Sequence, residues 1–304
     1  MTRSSVPTIL ALFLTFAVST SARVYAQPPA TTAPAADPAA APDAQAAPAS
    51  NDDDAKLRPL EPDFNLVNLP TTLPLPKWGS NFRLTHRMVG VNYAQDDFST
   101  IAANLFGFDG PAVIQLEYRI AVMKHLEAIV ARTNFDRTIQ FSGKYDVFHG
   151  GAEHPLGLSG IASVEGGNNF QAHNTSGLDI GYSPAFGASV SRTLGKWAAA
   201  YVDPIFVHNT TNTGSAERRN TFYVGLGARL RVRPSTYIVA EVAPRAGGYA
   251  SGDAEFAISI EERVGGHMFS MVFANTQATT YAQIARGANP KTLYIGFNLA
   301  RKFY

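Results

Sequence analysis

The stretch TLYIGFNLARKFY, residues 292–304, alternates apolar residues with small or polar ones over almost its whole length. Successive side chains of a β-strand point to opposite faces, so a period of two sorts these residues into two sets. The apolar set comprises Leu293, Ile295, Phe297, Leu299 and Phe303, and the other comprises Tyr294, Gly296, Asn298, Ala300 and Lys302. The stretch therefore predicts a strand with one apolar face, which ends on the aromatic pair Phe303 and Tyr304.

Twelve strand-sized runs follow one another after residue 80, and no full-length amphipathic helix separates them. They span residues 82–93, 112–122, 126–133, 138–148, 158–165, 177–192, 197–207, 221–232, 236–244, 256–263, 267–275 and 292–304. Most approach the roughly 9 to 11 residues that a tilted strand needs to cross a bilayer. Because helices and closed barrels are the structures that satisfy their backbone in lipid, a membrane protein of this pattern is a barrel. The sequence predicts an all-β fold, a single antiparallel transmembrane β-barrel of about 12 strands (10 to 14 by the uncertainty of such boundaries).

The connections between these runs alternate between long and short. The long ones are residues 94–111, 166–176, 208–220, 245–255 and 276–291, with a tight exception at 134–137, and the others are short turns except for one around 150–157. Outer-membrane barrels keep short turns on the periplasmic side and longer loops outside, whereas a soluble sandwich shares only the alternation within strands. The connections therefore favour the barrel and predict that the N- and C-termini both lie in the periplasm.

The start of the chain predicts a signal peptide followed by a disordered linker. Arg3 precedes an apolar run over 6–18 and small residues up to Ala26, which is typical of a signal peptide over residues 1–26. Residues 27–60 consist largely of Ala, Pro and Asp. They carry too little apolar surface to offset the entropy of ordering, so we expect a disordered linker.

A Pro-rich segment over residues 61–80 connects this linker to the predicted barrel over 81–304. Pro70, Pro74 and Pro76 are spaced so that neither a helix nor a paired strand persists. We interpret it as an extended approach segment that either lies along the barrel rim or enters the lumen.

The polar faces of the predicted strands supply candidates for the lumen. In the run 221–232 apolar residues alternate with Arg229, Arg231 and the small residues Gly225 and Gly227, which are interpreted as lumen-facing positions. Charges of both signs either line a water-filled pore or pair across the lumen and close it. The lumen-lining candidates are Glu117, Arg119, Lys144, Asp146, Arg229, Arg231, Glu241, Glu261 and Arg263.

Two resemblances concern the cellular location of the protein and its family. The final strand, with Phe297, Leu299, Phe303 and Tyr304, resembles the C-terminal signal of bacterial outer-membrane barrels, which implies recognition by the barrel-assembly machinery. The motifs at 69–79, 82–87 and 104–109, with Lys144-Tyr145, are similar to an uncharacterised family of predicted bacterial outer-membrane β-barrel proteins, a domain of unknown function. This resemblance covers about 66–304 and implies a fold but no activity.

Composition and motifs favour a protein that is not an enzyme. The chain has no cysteine, which removes disulfides, thiolate metal sites and cysteine nucleophiles. His149, Glu153 and His154 form a local group that is interpreted as a solvated turn, and no nucleophile arrangement accompanies the histidines. No catalytic residue, metal or cofactor is predicted. A net charge of +1 and a pI near 8.0 give no case for nucleic acid.

The leading functional hypothesis is a narrow, porin-like channel for small polar or ionic solutes, with a slight anion preference near Arg229 and Arg231. The alternative is a closed structural or binding barrel whose outer loops or N-terminal arm engage a partner, and a minor alternative is a barrel-embedded lipid hydrolase. The expected partners are outer-membrane lipid, the barrel-assembly machinery and small solutes, and the expected location is the bacterial outer membrane. The sequence leaves the oligomeric state open.

Overall fold

The computed structural model describes residues 61–92, 94–150, 155–167, 182–211, 218–247, 252–289 and 291–304. The predicted signal peptide and linker lie outside these ranges. The strands are β1 Ser80–Arg87, β2 Val91–Asn92, β3 Val113–Met123, β4 Leu126–Thr133, β5 Thr138–Phe148, β6 Leu156–Gly167, β7 Ser183–Leu194, β8 Ala198–Thr211, β9 Arg218–Arg231, β10 Thr236–Ala243, β11 Arg245–Gly247, β12 Glu255–Val264, β13 His267–Ala274 and β14 Thr292–Phe303.

Short helical segments interrupt three of the connections. They are the helices Phe98–Ala103 and Tyr281–Ala285 and the 3₁₀ turns Leu105–Gly107 and Phe135–Arg137. Within the described ranges, none of the helices has the length and apolarity required to span a membrane.

Twelve of the strands close into one antiparallel barrel. Each pairs with its neighbour along the chain, and β1 pairs with β14, where Leu84 lies opposite Leu299. The two remaining strands are short additions: β2 pairs with the start of β14, and β11 pairs with β9. The structure confirms the predicted all-β barrel of twelve strands.

Several predicted runs end earlier in the structure than the sequence suggested. The run 82–93 stops at Arg87, and only Val91–Asn92 of its last part pairs again, with β14. The run 236–244 stops at Ala243 because Pro244 has no N–H to donate to a ladder, and β11 follows it on β9. The first residues of the run 177–192 lie outside the described residues.

Alternation along each strand separates an outer apolar face from an inner polar one. In β3 the side chains of Ile114, Leu116 and Tyr118 are exposed, whereas those of Glu117 and Arg119 between them are buried. Large apolar residues facing outward around a closed barrel are the surface that lipid covers. The buried polar face is therefore directed into the lumen.

The connections fall at two opposite ends of the barrel. The short turns 124–125, 195–197, 232–235 and 265–266 share one end, called the turn end, with the longer connection 149–155. The long connections 88–112, 168–182, 244–254 and 275–291 share the other, called the loop end, with the tight turn 134–137. Positive φ angles at Gly195 (64°) and Gly265 (57°) allow two of the short turns to reverse tightly.

Candidate functional site

The structure divides the nine lumen-lining candidates into a buried group and a partly exposed one. Seven are buried: Glu117, Arg119, Lys144, Asp146, Arg229, Glu241 and Glu261. The other two, Arg231 and Arg263, are partly exposed at the turn end, where Arg231 lies over the Trp197 ring at 5.6 Å and Arg263 Nε donates to the Gly265 carbonyl at 3.3 Å. The two arginines near which the sequence predicts an anion preference therefore lie in different surroundings, since Arg229 is buried and Arg231 is partly exposed.

Several of the buried charges form ion pairs along the wall. Arg119 contacts Glu117 and Glu127, both at 3.1 Å, and Lys144 contacts Glu127 at 3.4 Å. Arg229 Nε lies 3.0 Å from Glu261 Oε2, and both side chains are fully buried. Buried ion pairs of this kind neutralise each other, so Arg229 does not offer an unpaired positive charge to the lumen.

Residues 61–79 form a hairpin inside the barrel, called the plug hairpin below. The chain reverses between Leu66 and Leu69, where the Leu66 N–H donates to the Leu69 carbonyl at 2.7 Å. Its first leg reaches the turn end, where Lys302 Nζ donates to the Pro62 carbonyl at 2.5 Å. Its second leg runs directly into β1. Of the two positions that the sequence allowed for the Pro-rich segment, along the rim or inside the lumen, the structure shows the second. Both legs enter the lumen from the turn end.

Carboxylates of the wall accept the main-chain N–H groups of the plug hairpin. Glu241 accepts three consecutive ones, from Val67 (3.0 Å), Asn68 (2.7 Å) and Leu69 (3.2 Å). Glu127 accepts a fourth, from Leu75, at 2.9 Å. Hydrogen bonds to a charged acceptor are stronger than neutral ones, so Glu241 acts as the main clamp at the tip.

Cations of the wall donate to the carbonyl groups of the same hairpin. Lys144 and Arg119 also lie over the Phe64 ring, at 5.8 and 5.3 Å, as does Lys302 at 5.0 Å. The main-chain bonds run from Arg229 to Asn65 (2.8 Å), from Arg83 to Val67 (2.5 Å), and from Lys144 to Thr71 (3.2 Å) and Leu73 (2.5 Å). The plug hairpin is therefore held through its backbone by wall residues of both signs.

The apolar tip of the hairpin fits a notch made by two glycines of β9. A Cβ built on Gly227 would lie 2.2 Å from a Leu66 methyl, and one built on Gly225 would lie 2.7 and 2.9 Å from the two Leu69 methyls. Any larger residue at these positions would occupy the space of the tip. The small residues noted in the sequence thus accommodate a segment of the same chain.

A loop from the other end also enters the lumen. Residues 275–289, called the inward loop, carry the helix Tyr281–Ala285 and are anchored by Glu165. This carboxylate accepts from the Thr280 hydroxyl at 2.6 Å and from the Ala282 N–H at 3.1 Å. Arg286 adds an ion pair with Asp136 in the turn between β4 and β5.

The tip of the plug hairpin and the inward loop belong to one apolar cluster inside the polar barrel. From the hairpin it contains Leu66, Val67 and Leu69, and from the loop Ala278, Ala282, Ile284 and Ala285. A cavity of about 20 Å³ remains beside it, lined by Arg83, Gln115, Arg119 and Tyr281 among others. Since one water needs about 10 to 15 Å³, this space is on the scale of a single water and is not a pore.

Sequence reasoning missed several of the wall residues that contact these segments. Arg83 and Arg87 of β1, Glu127 of β4, Glu165 of β6 and Glu255 of β12 are all buried and inward-facing. The sequence does contain a signal for Arg83 and Arg87, because both lie on the strand face opposite Leu84 and His86. The predicted run 82–93 continues past the end of β1 at Arg87, and this weakens the alternation. In the final strand Phe297 and Phe303 are exposed on the outer face, with Leu299 partly buried on the same face, and Tyr304 is exposed just after the strand ends.

The histidines that the structure describes are dispersed. His149 lies 3.6 Å from Glu61 and His125 lies 3.0 Å from Asp146, both at the turn end, whereas His86 stacks on the outward-facing ring of Phe297. Glu153 and His154, the other members of the predicted local group, lie outside the described residues. Among the residues that are described, no three His, Asp or Glu side chains assemble a candidate metal site.

These observations define a membrane-bound β-barrel whose lumen is filled by segments of its own chain. The family model described as "Membrane bound beta barrel domain (DUF5777)" matches residues 63–303, and the chain belongs to this family. The resemblance found in the sequence is confirmed, and the match extends over nearly all of the plug hairpin.

Comparison with solved structures returns porins and other outer-membrane proteins at very low identity. The KdgM porin shares 8% identity over 73% of this chain and 99% of its own, with a TM-score of 0.46. The NanC porin shares 6% over 73% and 100%, also at 0.46, and Omp33 of Acinetobacter baumannii shares 12% over 76% and 100%, at 0.42. Values this low carry no argument about the function of this chain. None of the functionally curated proteins matches it.

Proposed function

We propose that this protein is a bacterial outer-membrane channel for small polar or ionic solutes, which its own plug hairpin holds closed. The supporting observation is how the lumen is filled. The hairpin is bound to a charged wall mainly by hydrogen bonds to its backbone, and water can replace each of these bonds when the hairpin leaves.

The proposal includes the direction of the barrel. With a cleaved signal peptide over residues 1–26, the turn end faces the periplasm, together with the starts of both hairpin legs and the end of the final strand. The loop end then faces outward. Phe297, Leu299, Phe303 and Tyr304 serve as the assembly signal on the lipid-facing side. In this orientation the plug hairpin withdraws toward the periplasm, since both of its legs begin at the turn end.

A full-length variant can displace the hairpin without altering the wall. In Leu66→Asp/Leu69→Asp, two carboxylates replace leucines that are both fully buried and lie next to Glu241. Burying unpaired charges costs several kcal/mol, so the tip should leave the lumen. The matched control is Lys77→Asp, which introduces the same side chain at an exposed position of the hairpin.

The assay is planar-bilayer conductance of the refolded proteins, with folding checked by heat-modifiable migration. We expect the wild type and Lys77→Asp to remain closed for most of the recording and the double variant to give discrete current steps. A folded double variant that never conducts, even when Glu165→Gln is added to release the inward loop, would contradict the channel.

The second candidate function is a closed barrel that engages a partner through its loops or N-terminal arm. One observation favours it: the inward loop fills the lumen from the loop end independently of the hairpin, with Ile284 and Ala285 fully buried. Silence from every folded variant, including one whose inward loop is released as well, would support this function. The minor alternative, a lipid hydrolase, requires esterase activity of the purified barrel that is lost in His149→Ala.

A further inference from the structure

The wall recognises the plug hairpin as a peptide main chain. Besides the bonds already described, Ser189 donates to the Pro70 carbonyl at 3.4 Å and Asn298 to the Val67 carbonyl at 3.4 Å. Fewer bonds reach hairpin side chains: these run from Arg119 to Asn65 (3.2 Å), from Arg87 to Asn68 (3.1 Å), from Asn68 to Glu255 (3.0 Å), and between Thr72 and Ser191 (2.6 Å). Binding through the main chain depends little on sequence.

The donors and acceptors of the wall are divided by charge. The carboxylates of Glu241 and Glu127 accept N–H groups of the hairpin backbone, and its carbonyls receive their charged contacts from Arg83, Lys144, Arg229 and Lys302. A free peptide presents the same two kinds of group and adds an ammonium at one end and a carboxylate at the other.

Some of these wall charges have no opposite charge of their own. In the described part of the chain, no ion pair joins Arg83, Arg87 or Lys302 to a carboxylate, and none joins Glu241 or Glu255 to a base. The bases lie on the neighbouring strands β1 and β14, and the acids lie on β10 and β12. Arg83 Nε and Arg87 Nε are also buried donors without a hydrogen-bond partner in the described structure. When the hairpin leaves, basic and acidic groups are left facing each other across the site of its tip, since Arg87 and Glu255 both bond the Asn68 side chain.

We propose that this wall is a binding site for short peptides with free termini, and that such peptides are the solutes the open channel takes. The inference rests on the proposed channel function. The plug hairpin then acts as an internal occupant of the peptide site. A peptide carboxylate binds the basic groups of Arg83 and Arg87, and its ammonium binds the acidic groups of Glu241 and Glu255. Charge-assisted bonds at both ends make a zwitterionic peptide a better ligand than a neutral solute of the same size.

The test uses the full-length Leu66→Asp/Leu69→Asp protein and three probes of similar size: trialanine, trialanine with acetylated and amidated ends, and maltose. We expect trialanine to block the current at a concentration about 30-fold lower than maltose, with the capped peptide in between, since a charge at each end strengthens its bond about fivefold over a neutral one. Adding Glu241→Gln should weaken the trialanine block about tenfold. Glu262→Gln, whose carboxylate bonds Ser235 and Thr236 outside the hairpin site, is the matched control and should not.

Calorimetric titration of the same folded variant with trialanine in detergent separates the two proposals. A silent barrel that binds trialanine would refute the channel and keep the peptide site. A conducting barrel that is blocked equally by trialanine and maltose would refute the peptide site and keep the channel. A barrel that neither conducts nor binds would refute both.

Discussion

The seating of the plug hairpin should depend strongly on the charge of Glu241. Its carboxylate accepts three main-chain bonds, at 3.0, 2.7 and 3.2 Å, from residues 67–69. A bond to a charged group contributes about 1.5 to 3 kcal/mol and a neutral one about 0.5 to 1.5, so a bond that the amide oxygen keeps loses about 1 kcal/mol, and a bond to the oxygen that becomes NH₂ is lost altogether. Because Glu241 uses both oxygens, the sum for Glu241→Gln is at least about 3 kcal/mol. At 1.4 kcal/mol per factor of ten, the displaced hairpin becomes about 100-fold more populated.

The absence of cysteine from the chain allows this population to be measured directly. Val67→Cys places a single thiol of similar size at a tip position that is 1% exposed. A maleimide that cannot cross membranes reacts with it only when the hairpin is out of the lumen. When reseating is faster than the reaction, the labelling rate is proportional to the displaced population. Glu241→Gln should therefore raise this rate about 100-fold.

The control for this measurement is Lys77→Cys, a thiol at an exposed position of the same hairpin. It should be labelled quickly with either Glu241 or Gln at position 241. Two results would refute the reasoning. One is a Val67→Cys rate that is unchanged by Glu241→Gln, and the other is a Val67→Cys rate that equals the Lys77→Cys rate in the otherwise unaltered protein.

Two further substitutions test the glycine notch and the inward loop. Gly227→Leu should displace the hairpin tip and speed labelling of the same reporter by tenfold or more, because its side chain needs the space of a leucine that lies 2.2 Å from the built Cβ, whereas Gly160→Leu, with nothing within 4 Å, should not. Glu165→Gln removes the charged acceptor from Thr280 and Ala282 and should make the inward loop cleavable by protease added at the loop end, with hairpin labelling unchanged. Resistance of the loop in that variant would show that its anchor lies elsewhere.

The barrel could be predicted from the sequence because its signal is local and periodic. Each strand alternates over about ten residues, so a run such as 221–232 reveals both its conformation and its inner face without knowledge of its partners. The closure of the sheet then follows from the requirement that every strand edge in lipid be paired. Some errors fall where pairing stops for a reason outside the period, such as Pro244 and the segment after Arg87. Others fall where pairing continues past a predicted end, since β8 runs to Thr211 and β9 begins at Arg218, inside the predicted connection 208–220.

The plug hairpin could not be predicted in the same way. Its residues have no period, and its three prolines indicate only what it cannot be. Its position is set by contacts at very long sequence separation, such as Val67 with Glu241, 174 residues away. These contacts use the main chain, which leaves no mark on the residue types of the hairpin. The sequence did show the wall residues that contact the hairpin, since Gly225 and Gly227 are small and Glu241 is charged.

The chemistry of the wall explains why the hairpin is better regarded as an occupant than as a core. A barrel of twelve strands is too wide for its own side chains to fill, since eight strands already leave little more than their volume. The remaining space is filled here by a chain whose backbone bonds the wall, and water offers the wall the same kinds of bond. The net cost of withdrawal therefore comes from the burial of Leu66 and Leu69 and from the charge-assisted bonds of the wall residues Glu241, Glu127, Arg83, Lys144, Arg229 and Lys302. Because the segment continues into the barrel only at the turn end, our proposal requires no strand to unfold when a soluble peptide replaces it.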